Sequence, residues 1–174
     1  MRYLIILLLM SSFLARADSD TVKEVTRAVD GIYFKAFVLP VGNEDRIVVR
    51  LYEPRRIAEF SLLSEDSEHG GHIENIQWSK DGQFLVFSTS SSGGHSAWNF
   101  RTYIFSTQRS EFISVDDVTA PATSPNFSFA DASHLQIETL RSKPVSTDDT
   151  EKRVLDLNTL PWKKPKTEQL VPAD

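Results

Sequence analysis

The stretch Ser90-Ser91-Ser92-Gly93-Gly94-His95-Ser96-Ala97-Trp98-Asn99 brings a run of hydroxyls, two glycines, an imidazole and an indole into one short segment. Adjacent glycines let a backbone turn freely or approach a ligand closely. His95 and Trp98 follow them, and Arg101 and Tyr103 stand on the apolar stretch that comes next. Aromatic and arginine side chains are enriched at binding hot spots, and loops held on a rigid scaffold commonly carry function. The chemistry expected here is recognition, with His95, Trp98, Arg101 and Tyr103 as its residues. The competing reading has Trp98 folding back over a sheet edge and the serines forming a plain connection.

The other reactive side chains give weaker patterns. The histidines are His69, His72, His95 and His134. His69-Gly70-Gly71-His72 offers two imidazoles, but a zinc site wants three or four ligands at defined spacing. No metal or other cofactor is therefore expected. A nucleophilic serine would want a Gly-x-Ser-x-Gly elbow between strand and helix, and the sequence has none. The acidic pairs Asp116-Asp117 and Asp148-Asp149 are adjacent, so on a strand their carboxylates would diverge to opposite faces, and both sit in turn-like contexts. No Gly-rich phosphate loop occurs. Asn126-Phe127-Ser128 matches a glycosylation sequon, which matters only in a eukaryotic source. The expectation is a protein without enzymatic activity.

The first residues carry a targeting pattern. Arg2 precedes the apolar run Leu4-Ile5-Ile6-Leu7-Leu8-Leu9-Met10, and Ala15-Arg16-Ala17 fits the small-x-small pattern of a cleaved signal peptide. The run is roughly half the ~20 apolar residues of a spanning helix, and Asp18-Ser19-Asp20 follow at once. Residues 1–17 are therefore expected to be removed, leaving a periplasmic or extracellular protein with no stable membrane anchor. The chain has no cysteine, so no lipid can be attached to an N-terminal Cys. Stability must then come from burial rather than disulfides, and the 157 residues left are enough for one domain.

Loss of two arginines leaves 17 basic residues against 24 acidic ones, a formal charge of −7. Nucleic acid wants a basic surface, so it is not an expected partner, and anionic membranes are disfavoured too. The basic cluster Lys163-Lys164-Pro165-Lys166 reads as a solvated tail.

The rest reads as strands. After a short helix candidate over Thr21 to Ala28, helical periodicity largely disappears. Residues 31–39, 46–52, 56–63, 73–79, 83–89, 100–106, 111–115, 127–129, 135–140 and 153–157 are rich in β-branched and aromatic residues and punctuated by Gly, Pro and Asn. Lys80-Asp81-Gly82 is the strongest hairpin signal, because glycine accepts a positive φ without steric cost. Residues 18–158 form the expected β domain, and residues 159–174, with their prolines and no periodicity, an extended tail.

Ile76-Gln77-Trp78-Ser79-Lys80-Asp81-Gly82-Gln83-Phe84-Leu85-Val86-Phe87 resembles the blade signature of TolB-like and WD40-like β-propellers, with Lys80 where proline is usual. Phe127-Ser128-Phe129-Ala130-Asp131-Ala132-Ser133-His134-Leu135-Gln136-Ile137 is a weaker copy, with one extra residue before the aspartate and Ala132 in the glycine position. Asp81 and Asp131 lie 50 positions apart, near a blade period. The resemblance implies antiparallel four-stranded sheets stacked as an incomplete propeller or a sandwich, about two and a half blades in all. Residues 31–63 would be the later strands of a first blade and residues 100–115 the outer strands of the first full one. Propellers close with four to eight blades, so the chain would stand as an open stack or complete a ring as a homo-oligomer. It further implies an interaction module that binds a protein or envelope component. A small periplasmic hydrolase or glycan-processing protein, and a structural subunit of an envelope assembly, are the alternatives.

Overall fold

The computed structural model describes residues 33–41, 44–53, 56–61, 71–91, 100–141, 146, 149–162 and 168–171. The expected signal peptide, the helix over Thr21 to Ala28, His69, His95, Trp98 and Asp148 lie outside the described residues. Among the described residues the architecture is all-β, as the strand pattern implies, with one 3-10 turn at Val115–Asp117.

Three antiparallel sheets form. The first joins β1 (Tyr33–Val41), β2 (Glu44–Glu53), β3 (Arg56–Ser61) and β11 (Glu168–Val171), in that order. The second is a meander of β4 (Gly71–Trp78), β5 (Phe84–Ser91), β6 (Phe100–Ser106) and β7 (Glu111–Ser114). The third runs β10–β9–β8, from β8 (Ala122–Phe129), β9 (His134–Leu140) and β10 (Thr150–Asp156).

Among the described residues the third sheet has three strands. The chain leaves β10 and supplies β11 to the first sheet, where Glu168 to Val171 pair with Phe60 to Ile57. Within the segment expected as an extended tail, residues 168–171 form this strand. A four-residue strand is too short to generate a periodic signal, and its place is fixed by the β3 ladder rather than by its own pattern.

The second sheet is the middle layer. Along β5, side chains alternate between two separate cores: Leu85 and Phe87 join Ala36, Ile47, Val49 and Leu51 of the first sheet. Phe84 and Val86 join Leu135 and Ile137 of the third. Phe105 and Ile104 divide the same way on β6, as do Phe112 and Ile113 on β7. A strand covered on both faces has no polar side to present, so Phe84-Leu85-Val86-Phe87 reads as a continuous apolar run. The polar pair within this layer is self-satisfying: Ser88 and Thr102, both fully buried, share a hydrogen bond of 2.8 Å.

The Asp81 hairpin is built as its sequence dictates. Gly82 takes φ 70°, a left-handed conformation that an L-residue adopts only at a cost. Asp81 Oδ1 accepts the Ser79 hydroxyl at 2.7 Å and the Gln83 N–H at 3.0 Å, and the Ser79 hydroxyl oxygen accepts the Phe84 N–H at 3.0 Å. In the weaker copy Asp131 Oδ1 accepts the N–H groups of Ser133 and His134, both at 2.8 Å.

The correspondence between the two hairpins extends through their sheets. Phe84 pairs with Ser106, and 50 residues on, His134 pairs with Asp156. Leu85, Phe87 and Phe105 face the first sheet. Their counterparts Leu135, Ile137 and Leu155 face the second. The opposite faces differ. Phe84, Val86 and Ile104 are buried, but the equivalent His134, Gln136 and Val154 are not, and Val154 is 58% exposed. The third sheet therefore ends the stack in a polar outer face, as a terminal repeat does.

Candidate binding site

Of the expected recognition residues, Arg101 and Tyr103 are described, and both lie on β6 with their side chains on one face. Arg101 is exposed at the start of the strand. Tyr103 is half-buried, packs against the core between the first two sheets, and stacks on Phe87 at 5.3 Å between ring centroids. Its ring contributes to packing, which an alternating strand imposes on every second residue facing a core. Arg101 keeps its charge at the surface, near enough to Asp116 to favour that carboxylate.

Asp116 and Asp117 lie on the 3-10 turn rather than on a strand. Asp116 is half-buried and Asp117 exposed. Burial pushes the Asp116 carboxyl above its ordinary value, against the Ala122 N–H and Arg101, which pull it down. Among the described residues its Oδ1 has no hydrogen-bond partner. Asp149, from the other acidic pair, is held by Arg141 Nε at 2.8 Å.

The two described histidines, His72 and His134, each lie beside an aspartate. His72 Nδ1 lies 3.6 Å from Asp45 Oδ2, and the same oxygen accepts the Ile73 N–H at 3.0 Å. That carboxylate ties β2 to β4 and so couples the first two sheets. Among the described residues no group of three or more His, Asp or Glu could hold a metal ion. At the other end, His134 Nδ1 lies 2.8 Å from Asp131 Oδ2. The backbone N–H of Ser133, then the His134 side chain, hold the Asp131 carboxyl down at about 2, and Asp131 raises His134 in return. Ser133 Oγ approaches the same Nδ1 at 3.4 Å. Nucleophilic catalysis needs the serine on the nitrogen opposite the one the aspartate holds, so Asp131, Ser133 and His134 do not form that arrangement with one another.

One feature was not singled out from sequence: the face of the first sheet turned away from the second. Tyr33 and Tyr52 are directly paired, and their rings stack at 4.6 Å with 9° between planes. The Lys35 ammonium lies 5.8 Å and 6.0 Å from their centroids. Arg50 sits 5.2 Å from the Phe37 centroid and donates to Glu59 Oε2 from Nε at 3.2 Å and Nη2 at 2.8 Å. The signal was present as alternation: Arg46, Val48, Arg50 and Tyr52 on one side of β2, Ile47, Val49 and Leu51 on the other. Cross-strand partners could be matched only once the register was known.

No protein-family model matches this chain, and no curated protein or solved structure is similar to it.

Proposed function

We propose that the protein is an exported, non-enzymatic interaction module that binds a protein or envelope component through the connection between β5 and β6. The observation that carries this reading is Arg101, an exposed guanidinium at the point where that connection enters a sheet buried on both faces. The middle layer, covered on both faces, holds the strands that this connection joins. Export rests on the charge, apolar run and Ala15-Arg16-Ala17 of the first residues.

The likeness to TolB-like and WD40-like blades is supported by the 50-residue correspondence between the second and third sheets. A homo-oligomeric ring is the less favoured form of it. Its closing contact would have to cover His134, Gln136 and Lys152, a polar surface. A solitary stack leaves that surface in water.

The test is capture from a native envelope fraction with the purified protein as bait, beside the variants Arg101→Ala and His95→Ala/Trp98→Ala. Loss of one specific band in both variants supports loop recognition. An unchanged capture profile removes it.

A further inference from the structure

We propose that β1 is a self-association edge, across which a second copy of this chain adds its own β1 in antiparallel register centred on Ala36. The inference is independent of the loop-recognition reading.

Among the described residues the three sheets present six edge strands, and an exposed edge is a template for another chain unless something blunts it. Five are blunted. β7 and β11 are four residues each. β4 breaks register between Ile73 and Asn75, and Asp45 occupies its Ile73 N–H. β8 breaks register between Ala122 and Phe127 and contains Pro125. β10 carries Glu151, Lys152 and Arg153 in succession. β1 is the least blunted, with Lys35 as a lone charge and Pro40 near its end. It runs nine residues with unbroken register against β2. Among the described residues β2 is its one neighbour in the sheet.

The ladder fixes which groups point outward. Val41 pairs with Glu44 across a two-residue connection, which makes them a hydrogen-bonded pair. Alternation then turns the N–H and C=O groups of Tyr33, Lys35, Phe37 and Leu39 toward β2, and those of Phe34, Ala36 and Val38 away from it. The β2–β3 connection gives the same parity, since Glu53 and Arg56 flank another two-residue connection. Pro40, which has no N–H, falls in the outward set, where a strand tolerates proline.

Three two-fold registers are worth comparing. Pairing Phe34 with Ala36 of the second copy would set Lys35 opposite its own symmetry mate, a like-charge contact. Pairing Ala36 with Val38 would set a Phe34 carbonyl against Pro40, which cannot donate. Pairing Ala36 with itself matches Phe34 to Val38, so every outward N–H and C=O of Phe34, Ala36 and Val38 is used. It also sets Lys35 beside Phe37 of the other copy and leaves Pro40 beyond the paired segment. The product is one continuous sheet through both molecules, an isologous contact as closed dimers require.

The test uses light scattering and directed cross-linking. The purified protein is expected to show a molar mass rising with concentration to twice that of the chain. A36P removes an outward N–H without touching the β2 ladder, so it is expected to be monomeric with an unchanged far-ultraviolet spectrum. Should A36P fail to fold, cross-linking decides alone. The chain has no cysteine, so K35C and F37C each provide a single thiol. Directly opposed residues outside the hydrogen-bonded pairs have Cα atoms about 4.5 Å apart, within disulfide reach. A mixture of K35C and F37C is expected to form the mixed disulfide dimer in preference to either homodimer. A monomer at every concentration, or homodimers cross-linking as fast as the mixed pair, overturns the proposal.

Discussion

The backbone N–H of Leu157 donates to the carbonyl of Ser133 at 2.9 Å. Fifty residues earlier, the N–H of Thr107 donates to the carbonyl of Gln83 at the same distance. Each bond ties the exit of a sheet's third strand to the turn of its first hairpin, so the two sheets are joined internally by the same device. Leu157 is also fully buried, in the core between the second and third sheets. Leu157→Ala is expected to lower unfolding free energy by about 2–5 kcal/mol through the cavity it leaves, measured by urea denaturation. A change indistinguishable from zero would mean that the segment after β10 is not docked.

The Asp81 turn makes a second prediction. Gly82→Ala forces a Cβ into a left-handed conformation and is expected to cost about 1–2 kcal/mol. Asp81→Ala removes the acceptor of the Ser79 hydroxyl and the Gln83 N–H, again at about 1–2 kcal/mol. Equal stability of both variants and the parent would show that this turn does not set the hairpin.

The Asp131–His134 pair predicts a pH dependence. His134 is raised above its ordinary 6.5 by its hydrogen bond to Asp131. Its contribution is complete below that unfolded value and is lost as pH rises through the higher folded one. Asp131, held at about 2 against an ordinary 3.8, contributes above the unfolded value and loses that contribution as pH falls. In an NMR titration the His134 ring is expected to show a midpoint above 6.5 that Asp131→Asn moves down. An unshifted midpoint, the same in both proteins, would contradict the pairing.

Asp116 has the opposite sign. Its carboxyl is raised, first by burial, so ionisation disfavours the folded state. That cost is absent below the unfolded value and grows as pH rises through the folded one. Asp116→Asn keeps an oxygen to accept the Ala122 N–H and removes the charge. It is expected to be more stable than the parent at neutral pH and no more stable below the ordinary carboxylate value of 3.8. Urea denaturation at both pH values reads this, and a variant less stable at neutral pH would contradict it.

Much of this fold was legible because its signals are local. The Asp81-Gly82 turn, the apolar run Phe84 to Phe87 and the spacing of Asp81 and Asp131 each follow from neighbouring residues. β11 was not legible, since its position depends on β3, more than 100 positions earlier. Nor was the division of labour on β6. Tyr103 and Arg101 share a face, but only the packing of Phe87 and the first sheet turns one into core and leaves the other at the surface. The stacked Tyr33 and Tyr52 needed the β1–β2 register in the same way.

Hydrogen–deuterium exchange tests the three-layer stack most directly, because a sheet covered on both faces opens only with the whole molecule. The amides of Leu85 to Phe87 and of Ile104 and Phe105 are expected to exchange most slowly, at the rate set by global unfolding. Those of β10, at the edge of the polar terminal sheet, are expected to exchange faster. Equal rates for β5, β6 and β10, or faster exchange in β5, would contradict the middle-layer position of the second sheet.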